Sequence, residues 1–262
     1  MGPREHVAFL AGSANRVRIL ETLREQPHRQ CELTEACDLS RSTVHRALDG
    51  LTDRGWVEQI DGEYRLTVGG DLVLGHYAAL ESAIDRVDEW GPFLNRLGDL
   101  ATTLPLAALS EATLVTSTPE NPHAAAAHFA DGLATTTTEK FYAISGVVSP
   151  RFNEAAQELI ATDTEMEMLI DESVFETSST DYEEALDDAY SLDNFTLYLY
   201  PDDLAFGLAV FDERVLISTH DERGVLRECL DSTDETLRTW ACGVYDDHRS
   251  AATRADAPVP QE

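Results

Sequence analysis

The sequence predicts a two-domain chain of α+β/α/β class: a small N-terminal helical domain closed by a β-hairpin, a linker helix, and a C-terminal α/β sheet domain. Three observations carry this prediction. Residues 14–68 read as three short amphipathic helices followed by two β-like runs. Residues 72–90 hold one long apolar stripe, and from residue 112 onward strand-like and helix-like segments alternate. At 262 residues the chain is long enough to build two cores.

In chain order, residues 14–25 form the first helix, with Val17, Leu20 and Leu23 at helical spacing, Ser13 as its N-cap and Pro27 ending it. Residues 32–37 form a second, with Leu33, Ala36 and Cys37 on one face. Asp38-Leu39 makes a tight turn, and Ser40 caps a third helix that runs to Arg54 and stops at Gly55. Residues 56–60 and 64–68 are strands joined through Asp61-Gly62, a strong two-residue hairpin signal. A long helix over 72–90 ends at Gly91-Pro92. Its stripe at 73, 77, 80, 84 and 87 has the 3-4 spacing of a two-helix seam, which burial within its own domain would satisfy as well as a dimer.

In the second half, strands are predicted over 112–117, 141–148, 165–170, 196–200, 205–211 and 215–219. Helices are predicted over 122–134, 150–161, 181–190 and 231–248. The domain boundaries expected are 1–69, a linker at 70–109, 110–250 for the sheet domain, and an Ala/Thr/Pro tail at 251–262 expected to be disordered. No stretch reaches 18 uninterrupted apolar residues and the N-terminus has no apolar h-region, so a cytoplasmic protein without membrane contact is expected. The four cysteines lack C-x-x-C spacing, which argues against a disulfide framework or a zinc knuckle; Cys31 and Cys37 read as small packing residues.

Charge is distributed unevenly. The chain carries 49 Asp+Glu against 19 Lys+Arg, net −30, and Lys140 is its one lysine. Arg-for-Lys replacement under a carboxylate-rich surface is the composition of cytoplasmic proteins from salt-accumulating archaea, a matter of habitat and solubility rather than fold. Residues 1–70 depart from it: nine Arg against eleven acids give net −2, while residues 71–262 hold ten cations and 38 acids, net −28. A neutral quarter in such a chain is where a polyanion docks.

The third helix concentrates this. Val44, Ala47, Leu48 and Leu51 recur at i, i+3, i+4, i+7 and face inward, leaving Arg41, Ser42, Thr43, His45 and Arg46 outward. These residue types contact phosphates and base edges, and a helix capped by Ser40 offers its N-terminal N–H groups to a phosphate. A merely solvated face in this composition would be acidic, yet residues 40–48 contain no acid, while Asp38, Asp49 and Asp53 flank them. The hairpin tip Asp61-Gly62-Glu63 is acidic and is not expected to enter a minor groove, although Arg65 stands where it would reach backbone phosphate. Two helices joined by a short turn, followed by a hairpin, make a winged helix-turn-helix, whose second helix enters the major groove.

Residues 13–67 resemble the winged-helix regulators of bacteria and archaea, including metal-sensor, IclR-like and multiple-antibiotic-resistance types, through S-R-S-T-V and the following L-x-x-L-x-x-x-G-x-V. Asp38 stands where many of them have Gly, and Asp tolerates the turn. Residues 110–249 resemble the sensor half of archaeal regulators related to a methanogenesis/filamentation regulator. The carrying segments are GVVSPRF at 146–152 and D-D-x-x-F-G-L-x-x-F-D at Asp202, Asp203, Phe206, Gly207, Leu208, Phe211 and Asp212. The resemblance implies a degenerate phospholipase D half-domain. That enzyme needs H-x-K-x(4)-D, and Lys140 lies in T-E-K without the His two residues before it, so no catalytic residues are assigned.

The expected function is a DNA-binding transcription regulator in which a C-terminal domain senses a ligand or mediates homodimerisation. Its partner is double-stranded DNA, and the DNA contacts are Ser40, Arg41, Ser42, Thr43, His45, Arg46 and Arg65. Ser145, Ser149 and Arg151 border a strand-to-helix turn suited to a small anionic effector. Acidic pairs such as Asp202-Asp203 read as solvated surface, and no metal or cofactor is called for. The alternative is a winged helix used for protein–protein contact with the transcription machinery; the acid-free helix start favours DNA.

Overall fold

The computed structural model describes residues 2–149, 151–152, 154–155 and 164–255. By its internal contacts the chain divides into two compact units, Met1–Asp85 and Arg86–Glu262. This boundary falls later than the expected 69/70, inside the long helix.

The first unit follows the predicted order with one addition. It contains α1 (Pro3–Ala11), α2 (Ala14–Glu25), α3 (Gln30–Ala36), α4 (Arg41–Thr52), β1 (Val57–Ile60) and β2 (Glu63–Leu66). The unexpected α1 has Pro at its first position and a Gly2 N–H bonded to the Glu5 carboxylate at 2.8 Å. It contributes Leu10 to a core of Ile19, Leu20, Leu33, Val44, Leu48, Leu51 and Trp56. Cys37 packs in that core as expected; Cys31 is exposed instead. Both turns adopt what their sequences demand. Asp38 has φ +50°, and Asp61 and Gly62 have φ +53° and +85°, the paired left-handed geometry of a tight hairpin. The free edge of β2 pairs with the loop after α2 through reciprocal His28–Tyr64 backbone bonds of 3.0 and 2.8 Å, which fixes the hairpin against the helices.

α5 spans Val68–Leu97, so the expected stop at Gly91-Pro92 is wrong. Proline removes one backbone hydrogen bond inside a helix. Here Trp90, Phe93 and Leu97, spaced 3 and 4 apart and at most 5% exposed, bury a continuing apolar face in the second unit's core, which outweighs that loss. Gly98, at φ +65°, ends the helix. At its other end Leu74 packs into the first unit's core, and a Cβ on Gly70 would lie 2.1 Å from the Trp56 carbonyl oxygen, so only glycine fits there.

The second unit is built on an eight-stranded mixed sheet. Its strands are β3 (Thr113–Thr116), β4 (Lys140–Ser145), β5 (Glu165–Asp171), β6 (Phe195–Tyr200), β7 (Phe206–Val210), β8 (Val215–His220), β9 (Leu226–Ser232) and β10 (Thr253–Arg254), in the order β10-β6-β5-β4-β7-β8-β9-β3. The pairs β4–β5 and β5–β6 are parallel and the others antiparallel. α6 (Ala124–Thr135) covers one face with α7 (Glu172–Asp181) and α8 (Glu183–Tyr190), and α9 (Glu235–Ala251) covers the other with the end of α5. β7 is buried along its whole length, as a strand covered on both faces must be.

Several expectations are corrected. The predicted helix over 231–248 starts later because β9 occupies its first residues, and Asp234 caps it by accepting from the Leu237 N–H at 2.9 Å. The segment 172–181, without a predicted element, is helical from its Asp171 cap. The tail begins ordered, since Thr253 and Arg254 pair with Leu199 and Tyr198; from residue 256 the expected disorder falls outside the described residues, as does most of the helix expected at 150–161.

A charge cluster pins α6 to the sheet. Arg214 donates twice to Asp231 of β9, at 2.9 and 2.7 Å, and His128 of α6 lies 2.8 Å from the same carboxylate. Burial pushes the Asp231 carboxyl up, but the hydrogen bonds from Arg214 and His128 outweigh it and hold the group below its usual range. A carboxylate depressed in the folded state stabilises above its unfolded value, about 3.9, and loses that contribution as pH falls through the lower folded value. Asp231→Asn is therefore expected to cost ~2 kcal/mol at neutral pH. In thermal melts of both proteins, the gap should narrow as pH drops below about 4.

Candidate nucleic-acid interface

α4 presents two faces. Val44, Ala47, Leu48 and Leu51 are buried on α2 and α3, while Arg41, Ser42, His45 and Arg46 are exposed and Thr43 is half-buried. Ser40 closes the N-terminus: its Oγ accepts from the Thr43 N–H at 3.2 Å and lies 2.8 Å from Thr43 Oγ1 and 3.0 Å from Ser42 Oγ. No acid stands in the first turn. The turn before it is held by Arg18, which donates to the Cys37 carbonyl at 3.1 Å, and Gln30 Nε2 donates to the Arg41 carbonyl at 3.4 Å. The outward groups thus sit on a helix whose start is fixed by a cap and two cross-links.

The use of arginine in this domain differs sharply by position. Arg24 is tied to Asp71 at 2.6 Å and Arg29 to Glu63 at 3.8 Å. Arg16 and Arg54 lie over the Phe9 ring, at 3.9 and 3.5 Å from its centroid. Arg41 and Arg46, by contrast, have no carboxylate within ion-pair distance among the described residues. Arg46 Nε donates only to the Ser42 carbonyl of its own helix, at 3.3 Å. His45 Nε2 lies 3.6 Å from Asp49, so the acidic end of the row begins one turn further on. Exposed guanidinium groups without acidic partners, beside exposed hydroxyls at a helix N-terminus, are equipped to donate to phosphate oxygens and base acceptors.

The hairpin contributes differently. Its tip carries Asp61, and Glu63 is engaged by Arg29. Arg65 stands opposite Glu58 on β2 with its Nε enclosed and lacking a hydrogen-bond partner. It is therefore not presented to the outside in the way Arg41 and Arg46 are.

The three residues expected to hold an anionic effector do not converge. Ser145 donates to the Val147 carbonyl at 2.7 Å, and with Ser149 it lines a cavity in the second unit. Arg151 is not among the described lining residues and instead lies 3.7 Å from Asp131. The expectation took the strand-to-helix turn as a site and missed the surrounding wall, Phe141, Met166, Met168 and Phe195. The alternation Phe141, Ala143, Ser145 and Met166, Met168, Ile170 was the available signal, because period-2 residues share one sheet face.

Residues 122–251 match the family model described as the methanogenesis regulatory protein FilR1, middle domain. Residues 4–89 match that of the HVO_A0261 N-terminal domain. These two matches together span residues 4–89 and 122–251 and support an archaeal transcription regulator. A comparison with curated proteins finds no match. Among solved structures, TrmBL2, an archaeal chromatin protein, aligns over 92% of this chain and 94% of its own at 11% identity and a TM-score of 0.44. Nuc, a phospholipase D family member from Salmonella typhimurium, aligns over 56% of this chain and 100% of its own at 12% identity and 0.44. An IclR homolog from Microbacterium sp. aligns over 92% and 98%, at 16% identity and 0.26. Among the described residues no helix is long and apolar enough to cross a membrane.

The cap is local and testable. Ser40→Ala should destabilise the first unit by ~1 kcal/mol, and Ser40→Asp should restore it, as read from denaturant unfolding.

Proposed function

We propose that this protein is a cytoplasmic DNA-binding transcription regulator whose first unit is a winged helix-turn-helix, with α4 as the helix that enters the major groove. The carrying observation is the unpaired state of Arg41 and Arg46 at the acid-free start of α4, in a chain of net −30. Ser40, Ser42, Thr43 and His45 complete the contact set. Arg65 is left as a backbone contact that requires its side chain to turn outward.

Salt limits how such a helix binds. Each phosphate neutralised contributes about −0.9 to the slope of log K against log salt, and the Debye length is about 3 Å at 1 M. In a cytoplasm of molar salt, binding rests on short hydrogen bonds, shape fit and the avidity of a dimer. The double variant Arg41→Ala/Arg46→Ala should lose binding to a fragment of the protein's own promoter, by at least about tenfold in fluorescence anisotropy at high KCl. Its circular dichroism should be unchanged. Unchanged affinity in the folded variant would remove α4 as the reader.

Dimerisation is assigned to α5. Val73 and Tyr77 of its stripe pack against the first unit's core, while Leu80, Ile84 and Val87 remain 50%, 51% and 48% exposed. These three keep the 4-3 spacing of a helix-pair seam. A second copy of α5 is the occupant that would also supply two reading helices for a two-fold operator. Leu80→Glu/Ile84→Glu should convert the dimer to a monomer in sedimentation velocity and weaken promoter binding; a dimer that persists refutes the seam. The FilR1-like unit then acts as a ligand-sensing domain, its bound state setting the spacing of the two α4 helices through α5.

A further inference from the structure

On the α6 side of the sheet, adjacent strands place Phe141, Met166 and Phe195 in one row and Ala143, Met168 and Leu197 in the next. Ala143 also stands opposite Ala209 of β7. Two neighbouring alanines leave a floor too low for the large side chains around it to fill. A cavity of about 410 Å³ opens above them, beneath Phe129, Val174 and Leu186 of the covering helices. Native packing leaves few voids larger than a water molecule, whereas small-molecule sites begin at about 300 Å³.

The polar side chains of the described lining are hydroxyls and one carboxylate. Ser178 is 8% exposed and its hydroxyl makes no hydrogen bond among the described residues, nor does that of Tyr182. Ser145 is already satisfied by Val147. Asp188 is the one charged residue among the described lining, and no Arg, Lys or His belongs to it. An anion entering here would shed its water without gaining a cation, and Arg151 is occupied by Asp131.

We propose that this cavity is the effector site of the second unit and takes a small, neutral, mainly apolar molecule, with a hydroxyl or carbonyl group satisfied by Ser178 and Tyr182. The inference deepens the ligand-sensing part of the proposed function and rests on it. It replaces the anionic effector that the turn at 145–151 had suggested.

A matched pair of probes tests the chemistry: N-phenyl-1-naphthylamine is neutral, and 1-anilinonaphthalene-8-sulfonate carries the same rings with a sulfonate. The neutral probe should bind the full-length protein in high KCl with saturable fluorescence, and the sulfonate at least about tenfold more weakly. Ala143→Phe, which fills the floor, should abolish binding of the neutral probe, and Leu80→Glu/Ile84→Glu should leave it intact. If Ala143→Phe fails to fold, the unmodified protein still decides. Met166 and Met168 line the cavity, so their ¹³C-methyl resonances should shift with the neutral probe and stay fixed with the sulfonate at the same concentration.

Equal or tighter binding of the sulfonate overturns the proposal, as do unmoved Met166 and Met168 methyls or binding lost with the α5 variant instead. Promoter affinity measured on the same samples separates the two readings. Absence of probe binding beside intact, Arg41-dependent DNA binding removes the cavity as a site and leaves the regulator standing. Probe binding that meets these expectations while Arg41→Ala/Arg46→Ala leaves DNA affinity unchanged supports the site and removes α4 as the reader.

Discussion

A sheet strand buried on both faces needs apolar cover twice, and the second unit is arranged around meeting that need for β4, β5, β7 and β8. One face is covered by α9 and by the last turns of α5, where Trp90, Phe93 and Leu97 reach the same core as Ile144, Leu169 and Ile217. This is why α5 continues through Pro92. The other face is covered by α6, α7 and α8, and a cavity opens where Ala143 and Ala209 meet. The helix end that locks into the sheet and the gap above its opposite face thus follow from one packing constraint, applied to both sides of the same strands.

Cations are the second scarce quantity. With 19 against 49 acids, each arginine set between acidic neighbours is a structural choice. In the second unit arginines hold separate elements together: Arg214 ties β9 to the segment before β8, and Arg96 of α5 reaches the buried Glu228, which also accepts from Thr219. In each pair the carboxylate is the more buried partner, so removing the arginine would strand a charge inside the fold. On α4 the same residue type is left without an acid. The contrast between the paired arginines and Arg41 and Arg46 is what the tertiary structure adds to the amphipathic pattern of α4.

The parts legible in the sequence were those governed by neighbours along the chain. The turn at Asp38, the hairpin at Asp61-Gly62, the Ser40 cap and the two faces of α4 all rest on residues within one or two helical turns, and each stands where expected. What escaped depended on distant partners. β9 carries Glu228 amid its apolar residues and reads poorly as a strand until Arg96, 132 residues away, neutralises that acid. β10 exists because β6 offers it an edge. Pro92 signals a stop locally, and only the sheet supplies a reason to continue.

For the cavity the division is sharper still. The sequence determined that Phe141, Ala143 and Ser145 share a face, and that Met166, Met168 and Ile170 do, since alternation is a property of any extended strand. It also determined, by composition alone, that cations are rare and absent of lysine except at Lys140. Which rows of side chains become neighbours is a matter of strand order and register, and these set Ala143 against Ala209; Arg151 lies instead 3.7 Å from Asp131 of α6. A cavity is the space left by residues far apart in the chain, so the tertiary structure alone decided its place and left no cation among its described lining.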